Sequence, residues 1–133
     1  MEFLTLTGSK RKLKYANKYR INWEKDSVSI FQTKVKNYVF PYWRNDIVFE
    51  EFPVVGSRLT LDFYNATLRL AIEVQGQQHY KYVKHFHGKS KLNYLKQLKN
   101  DDDKLNFCVK NDIKLIEVCS EADINNLYKE IYG

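Results

Sequence analysis

The sequence predicts an α/β protein with a mixed central sheet of about four strands flanked by helices. Segments near the middle of the chain alternate apolar and polar residues, which is typical of half-buried strands. Segments on either side repeat apolar residues every three or four positions, as helices do. The resulting order is α-β-β-β-α-β-α. Successive strands favour an antiparallel meander and a strand reached through a long helix favours a parallel crossover, so we expect a mixed sheet.

Charge and length indicate one domain with a polyanionic partner. The chain has 133 residues, and its 22 Lys and Arg against 16 Asp and Glu give a net charge of +6. Such an excess favours phosphate contacts, although it also suits ribosomal and membrane-surface proteins. No apolar run approaches the roughly 20 residues of a membrane span, and residues 1–20 lack the apolar core of a secretory signal. We therefore expect an intracellular protein without a membrane partner.

Residues 1–25 are interpreted as a basic N-terminal arm, and residues 26–133 as the single domain. The arm shows little helical or strand periodicity, and Tyr15 and Tyr19 lie among its cations. The arm residues that we expect to contact DNA are Lys10, Arg11, Lys12 and Lys14. Cations neutralise phosphates and tyrosines stack on bases or sugars. A solvated, partly ordered terminus explains the same composition equally well.

Two helices are predicted from apolar spacing. Asp26 and Ser27 are good N-cap residues, and Pro41 ends the apolar pattern that follows them, so the first helix should cover residues 27–40. The second covers residues 92–109 and should pack its apolar stripe on the sheet. That stripe consists of Leu92, Leu95, Leu98, Leu105 and Val109.

The remaining elements are strands and a last helix. Residues 47–54 read as a strand, with Pro53 favouring a sheet edge, and alternation places Glu50 and Glu51 on opposite faces. Residues 112–118 predict the fourth strand. Ser120 or Asp123 then caps the last helix.

A hairpin over residues 58–74 contains the candidate site. Alternation sets Leu61 and Phe63 on one side of its first strand and Asp62 on the other. Residues 65–67 supply turn chemistry, and Glu73 and Gln75 share a face at the end of the second strand. Tight antiparallel pairing would bring the carboxylates of Asp62 and Glu73 together, and such a pair suits Mg²⁺. The alternative is that Asp62 caps the turn and Glu73 is solvated.

The spacing Asp62, Glu73-x-Gln75 resembles the signature of the PD-(D/E)xK nuclease superfamily, with Gln75 in the lysine position. The longer run LDFYNATLRLAIEVQGQQHY is similar to very-short-patch-repair-like nucleases and to phage free-standing homing endonucleases. The resemblance is clearest from about residue 48 to 118. It implies a restriction-endonuclease-like core and hydrolysis of DNA phosphodiester bonds.

The resemblance also implies roles for particular residues. Asp62 and Glu73 would be metal ligands, Gln75 would position water or a ligand, and Lys104 would replace the cation missing at Gln75. We expect one of the two neighbouring glutamates, Glu51, to face the metal. The residues expected to contact the ligand side chains, rather than the metal itself, are Gln32, Gln78 and Asp103.

Three further residues follow the hairpin. His79 suits a general base or phosphate donor, and equally a structural histidine. Lys81 and Lys84 lie in a basic connection expected to face DNA.

The sequence therefore predicts a DNA endonuclease of homing or site-specific type that uses Mg²⁺, or Mn²⁺ in its place. Its expected partners are double-stranded DNA and, for cutting both strands, a second copy in a homodimer. Two alternatives stay open: a non-catalytic nucleic-acid-binding module of the same fold, and a junction-resolving or RNA-cutting relative. The expected setting is the cytoplasm of a bacterial or phage-infected cell.

Overall fold

A computed structural model describes residues 1–75 and 89–133, with residues 89–91 described by their backbone alone. The strands are β1 (Glu2–Leu4), β2 (Lys10–Lys12), β3 (Val48–Pro53), β4 (Thr60–Asn65), β5 (Leu70–Val74) and β6 (Lys114–Val118). The helices are α1 (Ile30–Trp43), α2 (Lys89–Lys110), α3 (Glu121–Asn125) and α4 (Leu127–Tyr132), with a 3-10 turn at Ala16–Tyr19. Among these helices, none combines the length and apolar character that crossing a membrane requires.

The central sheet has the strand order β3-β4-β5-β6. The first three strands form an antiparallel meander, whereas β5 and β6 are parallel neighbours reached through α2. The β4–β5 turn is closed by Asn65, whose Oδ1 accepts from Leu68 N at 3.0 Å. The predicted mixed four-strand sheet with flanking helices is confirmed, and β3, which ends at Pro53, is an edge strand.

Helices cover both faces of this sheet. On one face, Phe107 and Cys108 of α2 join Phe3 of β1 in a core with the sheet residues Phe52 and Leu61. On the other face lies a core shared with α1, α3 and α4. Its helix members are Val35, Val39, Trp43, Ile124 and Leu127. The sheet is therefore the middle of three layers.

Helix α1 starts and ends later than predicted. Ser29 is its N-cap, accepting from Gln32 N at 3.0 Å, rather than Asp26 or Ser27. Pro41 lies inside the helix instead of ending it. Proline lacks an N–H, yet the next turn still closes because Arg44 N donates to Phe40 O at 3.0 Å. Burial of Trp43, which is completely enclosed, stabilises this extra turn.

Helix α2 packs with a different face than predicted. Its five stripe residues, Leu92 to Val109, are exposed by 43–67%. Lys104, Phe107 and Cys108 instead lie toward the sheet, and of these Phe107 and Cys108 are completely buried. The apolar period identified the helix correctly. It failed to identify the packed face because a cation, Lys104, occupies the side that meets the sheet.

The N-terminal segment has more structure than the sequence suggested. β1 and β2 form an antiparallel hairpin, and the 3-10 turn follows. Phe3 is only 6% exposed, and its ring lies 5.6 Å from that of Phe52 and 5.7 Å from that of Phe107. Asn111, at the end of α2, also bonds the backbone N and O of Leu4. Residues expected to form an arm thus belong partly to the core.

Replacing Phe3 by Ala should destabilise the whole domain. Removing a buried ring costs about 3 kcal/mol, so urea unfolding should show that loss in the free energy of unfolding. The matched control is Tyr15→Ala, because Tyr15 is 79% exposed; its effect should stay below about 0.5 kcal/mol. Equal effects of the two substitutions would contradict the packing of the hairpin on the core.

Candidate active site

Asp62 and Glu73 lie side by side where the ladder between β4 and β5 ends. The ladder pairs Phe63 with Ile72, and Asp62 and Glu73 are the next residues along the two strands. At this position, side-chain carboxylates rather than backbone carbonyls accept hydrogen bonds from the backbone N–H groups of the opposite strand. Asp62 N donates to Glu73 Oε2 at 3.2 Å, and Val74 N donates to Asp62 Oδ2 at 2.7 Å. The hairpin therefore has the tight register that brings both acids together.

Glu51 lies in the same row, because the β3–β4 register sets it opposite Asp62. It has a φ of +51°, a conformation that non-glycine residues rarely adopt. The alternation of faces breaks at this row. Leu61 packs in the core beneath α2, whereas Phe63 packs in the core beneath α1, so the prediction that they share a side is wrong. Three acidic residues thus interrupt three neighbouring strands at one level.

Lys104 of α2 supplies a cation to this row. Its Nζ lies 2.6 Å from Oε1 of Glu73. Phe107 and Cys108, one turn further along α2, are buried in the core and fix the helix above the sheet. The lysine stem is therefore held in place rather than free in solvent.

Burial and mutual repulsion perturb the ionisation of this cluster. Glu73 is only 4% exposed. Burial, followed by the hydrogen bond and the charge of Asp62, raises the pKa of Glu73 from 4.5 to about 9, against the opposing effect of Lys104. For Lys104, burial alone would lower the pKa, but the charges of Glu73 and Asp62 outweigh it and raise the pKa. At neutral pH this raised pKa keeps the proton on Glu73, and Lys104 stays charged.

A second polar cluster lies on the α1 side of the sheet. Gln32 Nε2 donates to Glu50 Oε2 at 2.9 Å and to Glu51 Oε1 at 3.1 Å. The prediction that Glu50 and Glu51 point to opposite faces is therefore wrong. The positive φ of Glu51 is the reason, since it turns that side chain toward the same helix.

Lys36 completes this second cluster. It is 2% exposed, and its Nζ donates to Glu50 Oε1 at 2.9 Å and to Lys25 O at 2.6 Å. Sequence reasoning missed it. The available signal was a lysine one turn after Gln32, on the face of α1 that also carries the buried Val35 and Val39.

Other predicted site residues lie elsewhere. Gln75 directly follows β5, and its N–H donates to Val118 O at 2.8 Å. Asp103 pairs with Lys99 at 3.1 Å on the surface of α2, away from the carboxylate row. The exposed cations Lys10, Arg11 and Lys12 belong to β2, and Lys14 follows it. Four predicted residues fall outside the described part of the chain: Gln78, His79, Lys81 and Lys84.

The donor chemistry of the row fits a hard divalent cation. Within residues 1–75 and 89–133, no three His, Cys, Asp or Glu side chains are gathered tightly enough to enclose a metal ion. Mg²⁺ is commonly bound by one or two carboxylates, with waters and substrate phosphate completing its shell. Asp62 and Glu73 have this composition, and such a cation would displace the proton held by Glu73.

The chain is similar to three viral proteins. It is 47% identical over 66 residues to the uncharacterized protein 094L of Frog virus 3 (isolate Goorha) and 42% identical over 60 residues to the uncharacterized protein 307L of Invertebrate iridescent virus 6. It is 33% identical over 81 residues to the uncharacterized protein 033L of Invertebrate iridescent virus 3. These matches cover 50%, 45% and 61% of this chain, but only 43%, 30% and 41% of the relatives. No protein-family model and no solved structure matches the chain.

The raised pKa of Glu73 predicts a pH-dependent stability. Because folding raises this pKa from 4.5 to about 9, the folded state keeps a proton that the unfolded state releases. Stability should be greatest below the lower value and fall, by at most about 1.4 kcal/mol per pH unit, until the pH passes the higher one. Urea unfolding in EDTA at several pH values should show this fall for the wild type.

Glu73→Gln should remove most of that pH dependence, because an amide does not titrate. Glu117→Gln is the matched control, since Glu117 pairs in register with Glu73 across the β5–β6 ladder but is exposed. Its profile should follow the wild type. Identical pH profiles for Glu73→Gln and the wild type would contradict the retention of a proton by Glu73 in the folded state.

Proposed function

We propose that the protein is a Mg²⁺-dependent DNA endonuclease of the PD-(D/E)xK type that hydrolyses phosphodiester bonds. One observation carries the proposal: Asp62 and Glu73 are held together at a break in the sheet, with Lys104 at 2.6 Å from Glu73. Two acids and a lysine converging on one point can supply the metal ligands and the cation for metal-assisted phosphodiester hydrolysis.

The carboxylate pair supports binding of a divalent cation. A buried acid such as Glu73 beside the half-buried Asp62 is costly for the folded protein, and a cation that replaces the proton of Glu73 would relieve the repulsion between the two carboxylates. Such an ion, when bound, would supply charge stabilisation to the phosphate and increase the acidity of a coordinated water. The residues contribute the ligand oxygens and keep them in place, because each carboxylate also accepts a backbone N–H of the opposite strand.

Lys104 supports the catalytic form of the proposal. This chain has Gln75 where the superfamily signature has a lysine, so the segment that carries Glu73 does not provide the usual cation. Lys104 reaches Glu73 from α2, and its raised pKa keeps it charged at neutral pH. In this position it would neutralise charge that develops on the phosphate during cleavage.

Duplex DNA is the proposed substrate. The net charge of +6 favours a polyanion, and the hairpin strand β2 exposes Lys10, Arg11 and Lys12 in succession. The α-β-β-β-α-β-α order and the mixed sheet are compatible with a restriction-endonuclease-like core, which is part of the proposal. Lys104→Met and variants of these β2 cations should therefore affect cleavage and binding separately.

Cleavage of supercoiled plasmid with Mg²⁺ or Mn²⁺ tests the proposal. We expect nicked or linear product from the wild type, none in EDTA, and a loss of roughly 100-fold or more for Asp62→Asn, Glu73→Gln and Lys104→Met. Glu117→Gln and Lys110→Met are matched controls that should keep wild-type rates. Gel shifts without metal should show DNA binding by all five variants.

Each other outcome has a distinct meaning. Binding of DNA by the wild type without cleavage under any metal would favour the non-catalytic module. Cleavage of branched DNA or RNA but not of duplex DNA would favour a junction-resolving or RNA-cutting relative. Cutting that persists in both Glu73→Gln and Asp62→Asn would contradict the assigned site.

A further inference from the structure

We propose that the exposed apolar stripe of α2 is a self-association surface on which a second copy of this chain packs in the antiparallel direction. The seam is formed by Leu95, Leu98, Asp102, Leu105 and Val109, spaced by three, four, three and four residues. This is the a/d spacing of a coiled coil, in which one face of a helix meets another helix.

The seam lies on the side of α2 away from the sheet. Lys104, Phe107 and Cys108 occupy the sheet-facing side, and at 100° per residue the seam is roughly opposite to them. Leu95, Leu98, Leu105 and Val109 are 49%, 43%, 47% and 66% exposed. Single exposed leucines are ordinary, but four apolar side chains on one face along about 20 Å of helix, with the exposed Asp102 between Leu98 and Leu105, mark an interaction surface.

Charge along the helix identifies the occupant as a second copy. The part of α2 before Asn100 carries Lys96 and Lys99 and no acid, whereas Asp101, Asp102 and Asp103 follow in succession. Parallel pairing would set Asp102 against its own copy and the lysines against one another. Antiparallel pairing reverses one helix, so that the basic half of each copy lies along the acidic stretch of the other.

One antiparallel register pairs leucine with leucine and also brings opposite charges together. When Leu95 of one copy lies level with Leu105 of the other, Leu98 lies level with Asp102, whose charge requires a nearby cation. Lys99, which is next to Leu98, pairs with Asp103 of its own helix and is 75% exposed, so its ammonium group is also within reach of the Asp102 carboxylate of the second copy. The two-fold axis makes this contact occur twice. Exposed ion pairs contribute little stability, so the leucines would hold the pair together and the charges would set its direction and register.

The test is the molecular mass of the full chain by sedimentation equilibrium over a concentration series. We expect the wild type to approach twice 15.9 kDa. Leu98→Asp should weaken the dimer by at least about tenfold in its dissociation constant without unfolding the chain, because Leu98 is solvent-exposed in the monomer. Leu68→Asp is the matched control, since Leu68 is 39% exposed in the turn between β4 and β5; it should leave the mass unchanged.

Charge reversal tests the direction of pairing. Lys99→Asp and Asp102→Lys should each weaken the dimer, and the double variant K99D/D102K should restore it. Far-UV circular dichroism confirms that each variant is folded. A monomeric wild type at all concentrations, or a dimer unaffected by Leu98→Asp, would overturn the proposal. So would loss of duplex-DNA binding by Leu98→Asp in a monomeric protein, which would assign the stripe to nucleic acid.

This inference does not depend on cleavage. Mass and strand cutting are separate readouts, so a monomer that cuts DNA would refute the seam and leave the endonuclease proposal standing. A dimer that never cuts DNA would support the seam and refute the endonuclease proposal.

Discussion

The burial of Glu73 beside a second acid, Asp62, at the end of the β4–β5 ladder is the constraint on which the rest of the structure depends. Asp62 and Glu73 each accept a backbone N–H from the opposite strand, so these two N–H groups keep an acceptor where the ladder stops. The electrostatic cost remains, because burial and the charge of Asp62 together raise the pKa of Glu73 to about 9. Apolar residues at the same positions would avoid this cost. Buried groups with such perturbed ionisation occur preferentially at functional sites, and this supports a catalytic rather than a structural role for the pair.

The position of α2 follows from that constraint. A cation beside the carboxylates must come from a residue that packs on the sheet, and Lys104 occupies that side of the helix. Only Phe107 and Cys108 remain there, within the described residues, as fully buried apolar contacts. The leucines of α2 are consequently on the outer side. The exposed apolar stripe of α2 and the cation beside Glu73 are thus two results of one rotation of the helix about its axis.

The strands of the central sheet and the helices that flank it could be predicted from the sequence, because the repeats of two and of three to four residues do not depend on tertiary contacts. The β1–β2 hairpin could not, because residues 1–25 show little such periodicity. In the central part of the chain, what failed was the choice of face. For α2, the apolar stripe suggested the wrong side, since Phe107, Cys108 and the cation Lys104 face the sheet instead. At Glu51 and between Leu61 and Phe63, the alternation of faces failed because the strands break at the acidic row. The helix end predicted at Pro41 was wrong because burial of Trp43 stabilises one more turn.

The position of Lys104 on α2 makes a glutamine at position 75 compatible with the proposed active site. Glu73 faces α2, and a residue two positions further along a strand points to the same face. A lysine at position 75 would therefore approach the Glu73 carboxylate from the sheet, whereas a lysine on α2 approaches it from the helix that packs on this face. In the proposed endonuclease, the second arrangement would make catalysis depend on the position of a helix rather than of a strand. Any shift of α2 along the sheet would move Nζ of Lys104 away from Glu73, so contacts that hold α2, including a second copy packed on its outer side, would also hold the cation in place.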